Sequence, residues 1–113
     1  MSVVGKPFGT AAQIANSATT YYTATNLRAR IDKCTVCNTT AGAINLTIYK
    51  VPSGGSASAT NTLISARSIA AGETYTCPEV VGHWLEAGGF ISALASAATS
   101  LSLEMSGIEV SGT

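Results

Sequence analysis

The chain has 113 residues, and its six Lys or Arg residues balance six Asp or Glu residues to a formal net charge of zero. That length predicts a single domain, and without a basic excess the chain is not expected to bind nucleic acid. No run approaches the roughly eighteen apolar residues of a membrane span, so no membrane partner is expected. Only 11% of the residues are charged, against about 25% in ordinary soluble domains. This composition favours a subunit whose surface is largely covered by neighbouring proteins.

Residues 1–19 are rich in Ala, Thr, Ser and Asn and show no clear hydrophobic period. We interpret them as an extended N-terminal arm, and residues 20–113 as one folded domain. Because the strand pattern begins near Thr20, deletion of residues 2–14 is expected to leave the domain folded. The first residues lack the positive cluster and apolar run of an export signal, so assembly in the cytoplasm is expected.

Residues 28–38 form the longest predicted strand, and the hydrophobic pattern changes phase in its middle. The apolar residues on either side of the change are Ala29, Ile31, Cys34 and Val36. The first two share one parity and the last two share the other. Keeping all four in the core requires one extra residue near Asp32–Lys33, which is what a β-bulge supplies.

Further runs alternate apolar and polar residues between turn signals, as half-buried strands do. They cover residues 20–24, 43–51, 61–69, 74–78, 90–94 and 100–110. In the last run a second phase slip is predicted at Ser106–Gly107, after which Ile108 and Val110 resume the core pattern. At most one helical turn is expected, around residues 80–85. Short strands at this spacing predict an all-β, antiparallel sandwich or barrel of seven to nine strands.

Cys34 and Cys37 have the CxxC spacing, and Cys77 and His83 are conceivable further zinc ligands. Chelation needs a turn that points both thiolates inward, whereas positions three apart in a strand face opposite sides of the sheet. No metal or cofactor is therefore expected, and the cysteines are interpreted as small core residues. A cross-strand disulfide between Cys77 and either Cys34 or Cys37 is left open, although such bonds are rare in proteins assembled in the cytoplasm.

The remaining polar residues show no recognisable catalytic arrangement. His83 stands beside Trp84, but no nucleophile elbow or acid pair accompanies it, so no catalytic residue is nominated and no enzyme is expected. Trp84 is interpreted as a core or interface anchor. Arg28, Arg30 and Lys33 surround Asp32, which favours an inter-subunit ion-pair region over an anion site.

Four runs carry a resemblance to known proteins: RIDKCTVCNT (residues 30–39), LTIYKVPSGG (46–55), IAAGETY (69–75) and LEAGGFISA (85–93). In these runs, and in strand-and-turn pattern over about residues 20–110, the chain resembles small virion structural proteins of tailed bacteriophages. The resemblance implies a β-sandwich or jelly-roll-like subunit of a phage particle. It brings no catalytic residues with it.

From these observations we expect a capsid decoration (cement) protein on the surface of the phage head. Its expected partners are the major capsid protein and further copies of itself, as a dimer or trimer, with no small-molecule substrate. The residues expected at interfaces are Val3, Val4, Pro7, Phe8, Ile14, Tyr21, Tyr22 and Trp84. The alternatives are a tail, baseplate or fibre module with an adhesion role and, from another class, a small hydrolase.

Overall fold

The computed structural model describes residues 2–9 and 11–111, and this part of the chain is all-β. The predicted arm begins at residue 1 and the predicted domain ends at residue 113, and both of these residues lie outside the described part of the chain. Ten strands are present in them, three of which have only two residues. They are β1 (Ser2–Pro7), β2 (Ala12–Gln13), β3 (Thr19–Thr23), β4 (Arg28–Asn38), β5 (Ile44–Val51), β6 (Thr62–Ile69), β7 (Thr74–Tyr75), β8 (Trp84–Leu85), β9 (Phe90–Ala95) and β10 (Leu101–Ser111).

The strands form two antiparallel sheets, an arrangement compatible with a β-sandwich. In the first sheet β10 and β4 pair along nearly their whole lengths. The outer edge of β10 is covered by β1 and β2, and the outer edge of β4 by β7 and β8. The second sheet has the order β3-β9-β5-β6. The long strands β4 and β10 therefore form the centre of the first sheet.

Alternate residues of each sheet meet in one hydrophobic core, as the period of two predicts. The first sheet contributes aliphatic residues of β4 and β10, and the second contributes those of β5 and β9. The fully buried ones among them include Ile31, Val36, Leu46, Ile48, Ile91 and Leu101. Burial of such side chains contributes about 1.5–3 kcal/mol each relative to exposure.

The β-bulge predicted in β4 is confirmed, and its extra residue is Asp32. Ser106 of β10 lies opposite Lys33, whereas the next residue, Gly107, lies opposite Ile31. Asp32 is exposed and has no residue of β10 opposite it. Because this extra residue shifts the alternation of β4 by one position, Ile31 and Cys34 are both buried.

The second predicted phase slip, in β10 itself, is wrong. The register shifts at Ser106/Gly107 because β4 has an extra residue, and β10 continues in phase. Gly107 is buried on the inner face, while Ile108 and Val110 are only half-buried on the outer face of the sheet. They do not rejoin the core, because β10 gains no residue that would turn them inward.

The N-terminal segment differs from the expected arm. Ser2–Pro7 is strand β1, which pairs in register with Ser106–Ser111 of β10. Phe8 and Ile14 lie in the core, at 2% and 0% exposure. Ser2–Pro7 and Ala12–Gln13 are thus joined to the first sheet, whereas Thr19 begins β3 of the second sheet. The expectation that residues 2–14 can be removed without harm to the fold is corrected.

The helical turn expected at residues 80–85 is also corrected. That stretch contains a hydrogen-bonded turn, in which the Val80 amide donates to the Cys77 carbonyl at 2.9 Å, followed by β8. A short 3-10 turn lies instead at Ala59–Asn61, where the Asn61 side chain accepts a hydrogen bond from the Ser58 amide. Asn and Ser favour such local turns because their side chains bond to nearby backbone.

Asn38 is a buried polar residue that joins the two sheets. Its side-chain amide donates to the carbonyl of Gly42 at 2.8 Å and to that of Ile69, at the end of β6, at 2.9 Å. Its side-chain oxygen accepts from the Thr40 amide at 2.9 Å. Because these partners satisfy both ends of the side chain, Asn38 is buried without an unpaired polar atom.

A second connection between the sheets runs from Tyr22 of β3 to Glu109 of β10. The Tyr22 hydroxyl donates a hydrogen bond to the Glu109 carboxylate, which also lies 3.4 Å from the Lys6 ammonium. The Tyr22 ring stacks on Phe8 with 4.1 Å between centroids. Burial and the Glu109 carboxylate raise the pKa of Tyr22 above its ordinary value.

This raised pKa predicts a loss of stability at alkaline pH. A group whose folded pKa is raised contributes fully below its unfolded pKa, which is about 10 for tyrosine. The contribution is lost as pH rises beyond that value towards the folded pKa. Thermal unfolding followed by circular dichroism is therefore expected to show a midpoint that falls steeply above about pH 10, and less steeply in Tyr22→Phe. An equal fall in both proteins would contradict the assignment to Tyr22.

Candidate functional site

The outer face of the first sheet carries a cluster of exposed and half-buried side chains. Strand alternation places Arg28 and Arg30 of β4 on this face, and the register puts Trp84 beside Arg30. On the other side of β4, Ile108 is opposite Arg30 and Val110 is opposite Arg28, while Val3 of β1 is opposite Val110. We call this cluster the Trp84 patch: Trp84, Arg28, Arg30, Ile108, Val110 and Val3.

Trp84 lies beside both arginines of the patch. The guanidinium carbons of Arg28 and Arg30 are 5.5 and 5.7 Å from the centre of the indole ring, within the range of cation–π attraction. Trp84 is nevertheless 37% exposed. A tryptophan ring held by two arginines and still open to solvent presents a flat apolar surface to a second molecule.

The two arginines differ in their ionic partners. Arg30 donates from Nε to Asp32 at 2.7 Å, and this hydrogen bond raises the pKa of Arg30 above its ordinary value. Among the described residues, Arg28 has no carboxylate within 4.0 Å. The patch therefore combines an internally paired arginine with one whose charge is available to a carboxylate on a partner.

Strand β1 adds an open sheet edge next to this patch. All six of its residues are exposed, and among the described strands only β10 pairs with it. Val3 and Val4 are 57% and 48% exposed. Such an edge offers unpaired backbone groups to a strand of another molecule, although Lys6 and Pro7 make the end of β1 a poorer template.

The structure separates the predicted interface residues into two groups. Val3, Val4 and Pro7 are exposed on β1, and Trp84 is exposed in the Trp84 patch. The remaining predicted residues, Phe8, Ile14, Tyr21 and Tyr22, lie at least half inside the protein. The first two of these and Tyr22 are core residues, so their assignment to an interface is corrected: they already bury their side chains within the chain. Tyr21 is half-buried, and its hydroxyl accepts a hydrogen bond from the Ala15 amide at 2.8 Å.

Ile108 and Val110 are half-buried apolar residues of the Trp84 patch that were not among the predicted interface residues, and the exposed Val81 was not among them either. Ile108 and Val110 were expected in the core because of their alternation, and the sheet face they occupy depends on pairing with β4. The placement of Arg28 and Arg30 on one face could have been predicted from the sequence, since residues two positions apart in a strand face the same side of the sheet.

A separate cleft of ≈ 450 Å³ opens where the loop after β5 meets the segment between β8 and β9. Its apolar wall includes Val51, Leu63 and Leu85, and His83 and Glu86 stand beside it. The full lining is Lys50, Val51, Pro52, Ser53, Thr60, Asn61, Thr62, Leu63, His83, Leu85, Glu86, Ala87 and Gly89. A mostly apolar cleft with a few polar groups is typical of small-ligand sites.

The cysteines are not gathered around a metal site in the described part of the chain. Cys34 is buried on the inner face of β4, while Cys37 is half-buried on the outer face, as the strand period predicts. Residues 2–9 and 11–111 contain no group of three or more His, Cys, Asp or Glu side chains placed to hold a metal ion. Within the same residues, no helix has the length and apolar character required to cross a membrane.

Comparisons with known proteins do not assign the chain to a group. No protein family, curated protein or solved structure matches it. The features that bear on function are therefore the Trp84 patch, the β1 edge and the cleft.

Proposed function

We propose that the chain is a capsid decoration protein of a tailed bacteriophage, which stabilises the head by bridging major capsid subunits. In this proposal the strands form a jelly-roll-like sandwich, and the protein acts as a structural subunit without catalysis. The proposal that the chain belongs to a phage particle is supported by the resemblance of its strand-and-turn runs to small phage virion proteins. Low charge content and the exposed apolar surface support a role in assembly.

The observation that carries the proposal is the Trp84 patch beside the open β1 edge. Trp and Arg are the residue types most enriched among the energetically dominant residues of protein interfaces. Here they lie on a hydrogen-bonded sheet face, so their backbone is already ordered before binding. An exposed edge strand next to them can add backbone hydrogen bonds to the same contact.

The proposed mechanism is mechanical. The Trp84 patch packs on one capsid subunit, with Arg28 facing a carboxylate of that subunit, and β1 contacts an adjacent subunit or a second copy of the chain. Each contact removes apolar area from water, at about 25 cal/mol per Å² before the costs of association. Separation of the capsid subunits would then also require separation from the decoration protein.

Substitutions in the Trp84 patch test this proposal directly. Trp84→Ala is expected to weaken attachment to heads that lack the protein by roughly 30-fold or more, and Arg28→Ala by about tenfold. Lys33→Ala is the matched control, because it removes a positive charge from the same sheet face outside the patch. Binding is measured by co-sedimentation with expanded heads of the phage that encodes the chain. Circular dichroism verifies that each variant is folded.

Two results would overturn the proposal. The first is attachment of the Trp84→Ala and Arg28→Ala variants as tight as that of the Lys33→Ala control. The second is a particle reconstruction that finds the chain only on tails.

A tail, baseplate or fibre module with an adhesion role is the second candidate, and the cleft beside His83 is the observation that favours it. Its volume suits a small ligand group, such as one sugar unit of a host glycan. Binding of labelled host surface glycans that is lost in a Leu63→Trp variant, which fills the cleft, would support this candidate over the first.

A further inference from the structure

Two cysteines meet on the buried side of the first sheet. The pairing of β4 with β7 matches Val36 with Tyr75 and Cys37 with Thr74. Cys77 lies two residues past the end of β7, and the same register, if continued by those two residues, would bring it opposite Cys34. Both side chains are fully buried. Directly opposed residues in antiparallel strands have Cα atoms about 4.5–5.5 Å apart, within the roughly 4.4–6.8 Å that a disulfide spans.

The surroundings of the two thiols agree with this placement. A hydrogen bond with the Cys77 thiol, and then burial, raise the pKa of the Cys34 thiol above its ordinary value. The Cys77 thiol donates weakly to the Tyr75 carbonyl, with 3.7 Å between sulfur and oxygen. Directly after it the chain turns away, since Cys77 has a φ of 48°.

Cys37 is excluded from this pair by the pleat of β4. It lies three residues from Cys34 and faces the outer side of the sheet, opposite Thr74 of β7. Its thiol is half-buried there. Of the two disulfide pairings that the sequence left open, only the one between Cys34 and Cys77 joins residues on the same face.

We propose that Cys34 and Cys77 are an oxidisable dithiol site, which a small-molecule disulfide such as oxidised glutathione converts into an intramolecular cross-link. One protein thiolate attacks a sulfur of the small disulfide, forms a mixed disulfide and releases one small thiol. The second protein thiolate then attacks the mixed disulfide, forms the Cys34–Cys77 bond and releases the other small thiol. The two protons from the protein end on the two released thiols, and the small disulfide takes up the two electrons.

The cross-link would brace the segment that carries Trp84. Residues 78–83 connect Cys77 to β8, and their far end is already tied to β4. The Gly82 amide donates to the Ile31 carbonyl at 2.6 Å, and the Ile31 amide donates to the His83 carbonyl at 3.1 Å. A Cys34–Cys77 bond ties the near end to the same strand. A particle that leaves a reducing host interior meets conditions that favour this bond.

Only this bracing of the Trp84 patch rests on the proposed function, because oxidation of the dithiol depends on the fold alone. Oxidation is expected to be slow at neutral pH, since both thiols are buried and little of the Cys34 thiol is ionised. It should become faster as pH rises and when mild urea opens the segment after β7.

The test uses the full chain, purified with a reductant and then incubated with oxidised glutathione. Mass spectrometry is expected to show a product lighter by two hydrogen atoms, and thiol titration after denaturation should fall from three thiols to one. Cys37→Ser is the matched control, which is expected to form the same cross-link and to leave no free thiol. Cys34→Ala and Cys77→Ala should each keep two free thiols. The cross-linked protein should melt roughly 10 °C above the reduced protein.

Three thiols that persist after oxidation in mild urea would overturn the proposal, and so would mixed disulfides with glutathione at Cys34 and Cys77 as the final product. Loss of the cross-link in Cys37→Ser would show that Cys37 takes part in the bond, and this result would also overturn the proposal. Attachment to heads is measured separately on the oxidised and reduced proteins. If the cross-link forms but the chain does not bind heads, the proposed function is refuted and the proposal of a dithiol site is still supported.

Discussion

Replacement of Gly107 with alanine is expected to lower the free energy of unfolding by about 3 kcal/mol or more. An added Cβ at this position would lie 1.9 Å from the Arg30 carbonyl oxygen and 3.0 Å from the Asp32 amide nitrogen. Both are backbone atoms at the β-bulge, so relief of the clash requires β4 to move away from β10. Urea unfolding followed by circular dichroism measures the loss.

Gly5 provides the control for this substitution. It lies on β1, opposite Ile108, and an added Cβ there would approach its nearest atom, the Gly107 carbonyl oxygen, only to 3.9 Å. Gly5→Ala is therefore expected to change the free energy of unfolding by less than about 1 kcal/mol. If the two variants lose similar stability, the close approach of β10 to the bulge is not the reason that glycine occupies position 107.

Truncation at the N-terminus is expected to have two different outcomes, depending on where it ends. Removal of residues 2–6 takes away exposed side chains and the pairing of β1, and the protein should still unfold cooperatively. Removal of residues 2–14 also takes away Phe8, which stacks on Tyr22, and the fully buried Ile14. Loss of two such core residues costs about 5 kcal/mol or more, which approaches the whole stability of a small domain.

Thermal unfolding of the two truncated proteins measures this difference. The shorter deletion should keep a sharp transition, and the longer one should lose it. Phe8→Ala in the full chain is the control for loss of core packing without loss of β1, and it is expected to cost about 3–5 kcal/mol. A sharp, unshifted transition after removal of residues 2–14 would contradict the burial of Phe8 and Ile14.

Short-range pattern was sufficient for much of the fold. The alternation in residues 43–51 predicted β5 almost to its ends, and the phase change in residues 28–38 located a bulge that proved to be at Asp32. Both inferences depend only on which side of a strand neighbouring residues face. That property follows from the backbone pleat and is therefore written locally in the chain.

Pairing between strands that are distant in sequence decided those features of the fold that the hydrophobic alternation did not predict or predicted wrongly. β1 pairs with residues about a hundred positions away in β10, so nothing near Ser2–Pro7 reveals that this segment belongs to a sheet. The same holds for Phe8 and Ile14, whose burial comes from distant strands. Ile108 and Val110 were expected to rejoin the core after a phase slip in β10, yet the extra residue is in β4 and β10 keeps one phase, so both stay on the outer face.

The candidate sites show the same division. By itself the sequence determined an all-β chain with few charges, a pair of arginines on one strand face, and cysteines at positions 34 and 37 on opposite faces. Only the tertiary structure decided that Trp84 lies beside Arg28 and Arg30, and that Cys77 is the neighbour of Cys34. Residues in one strand are related by the fixed geometry of the backbone, whereas residues in different strands are related only by the register in which the whole chain packs.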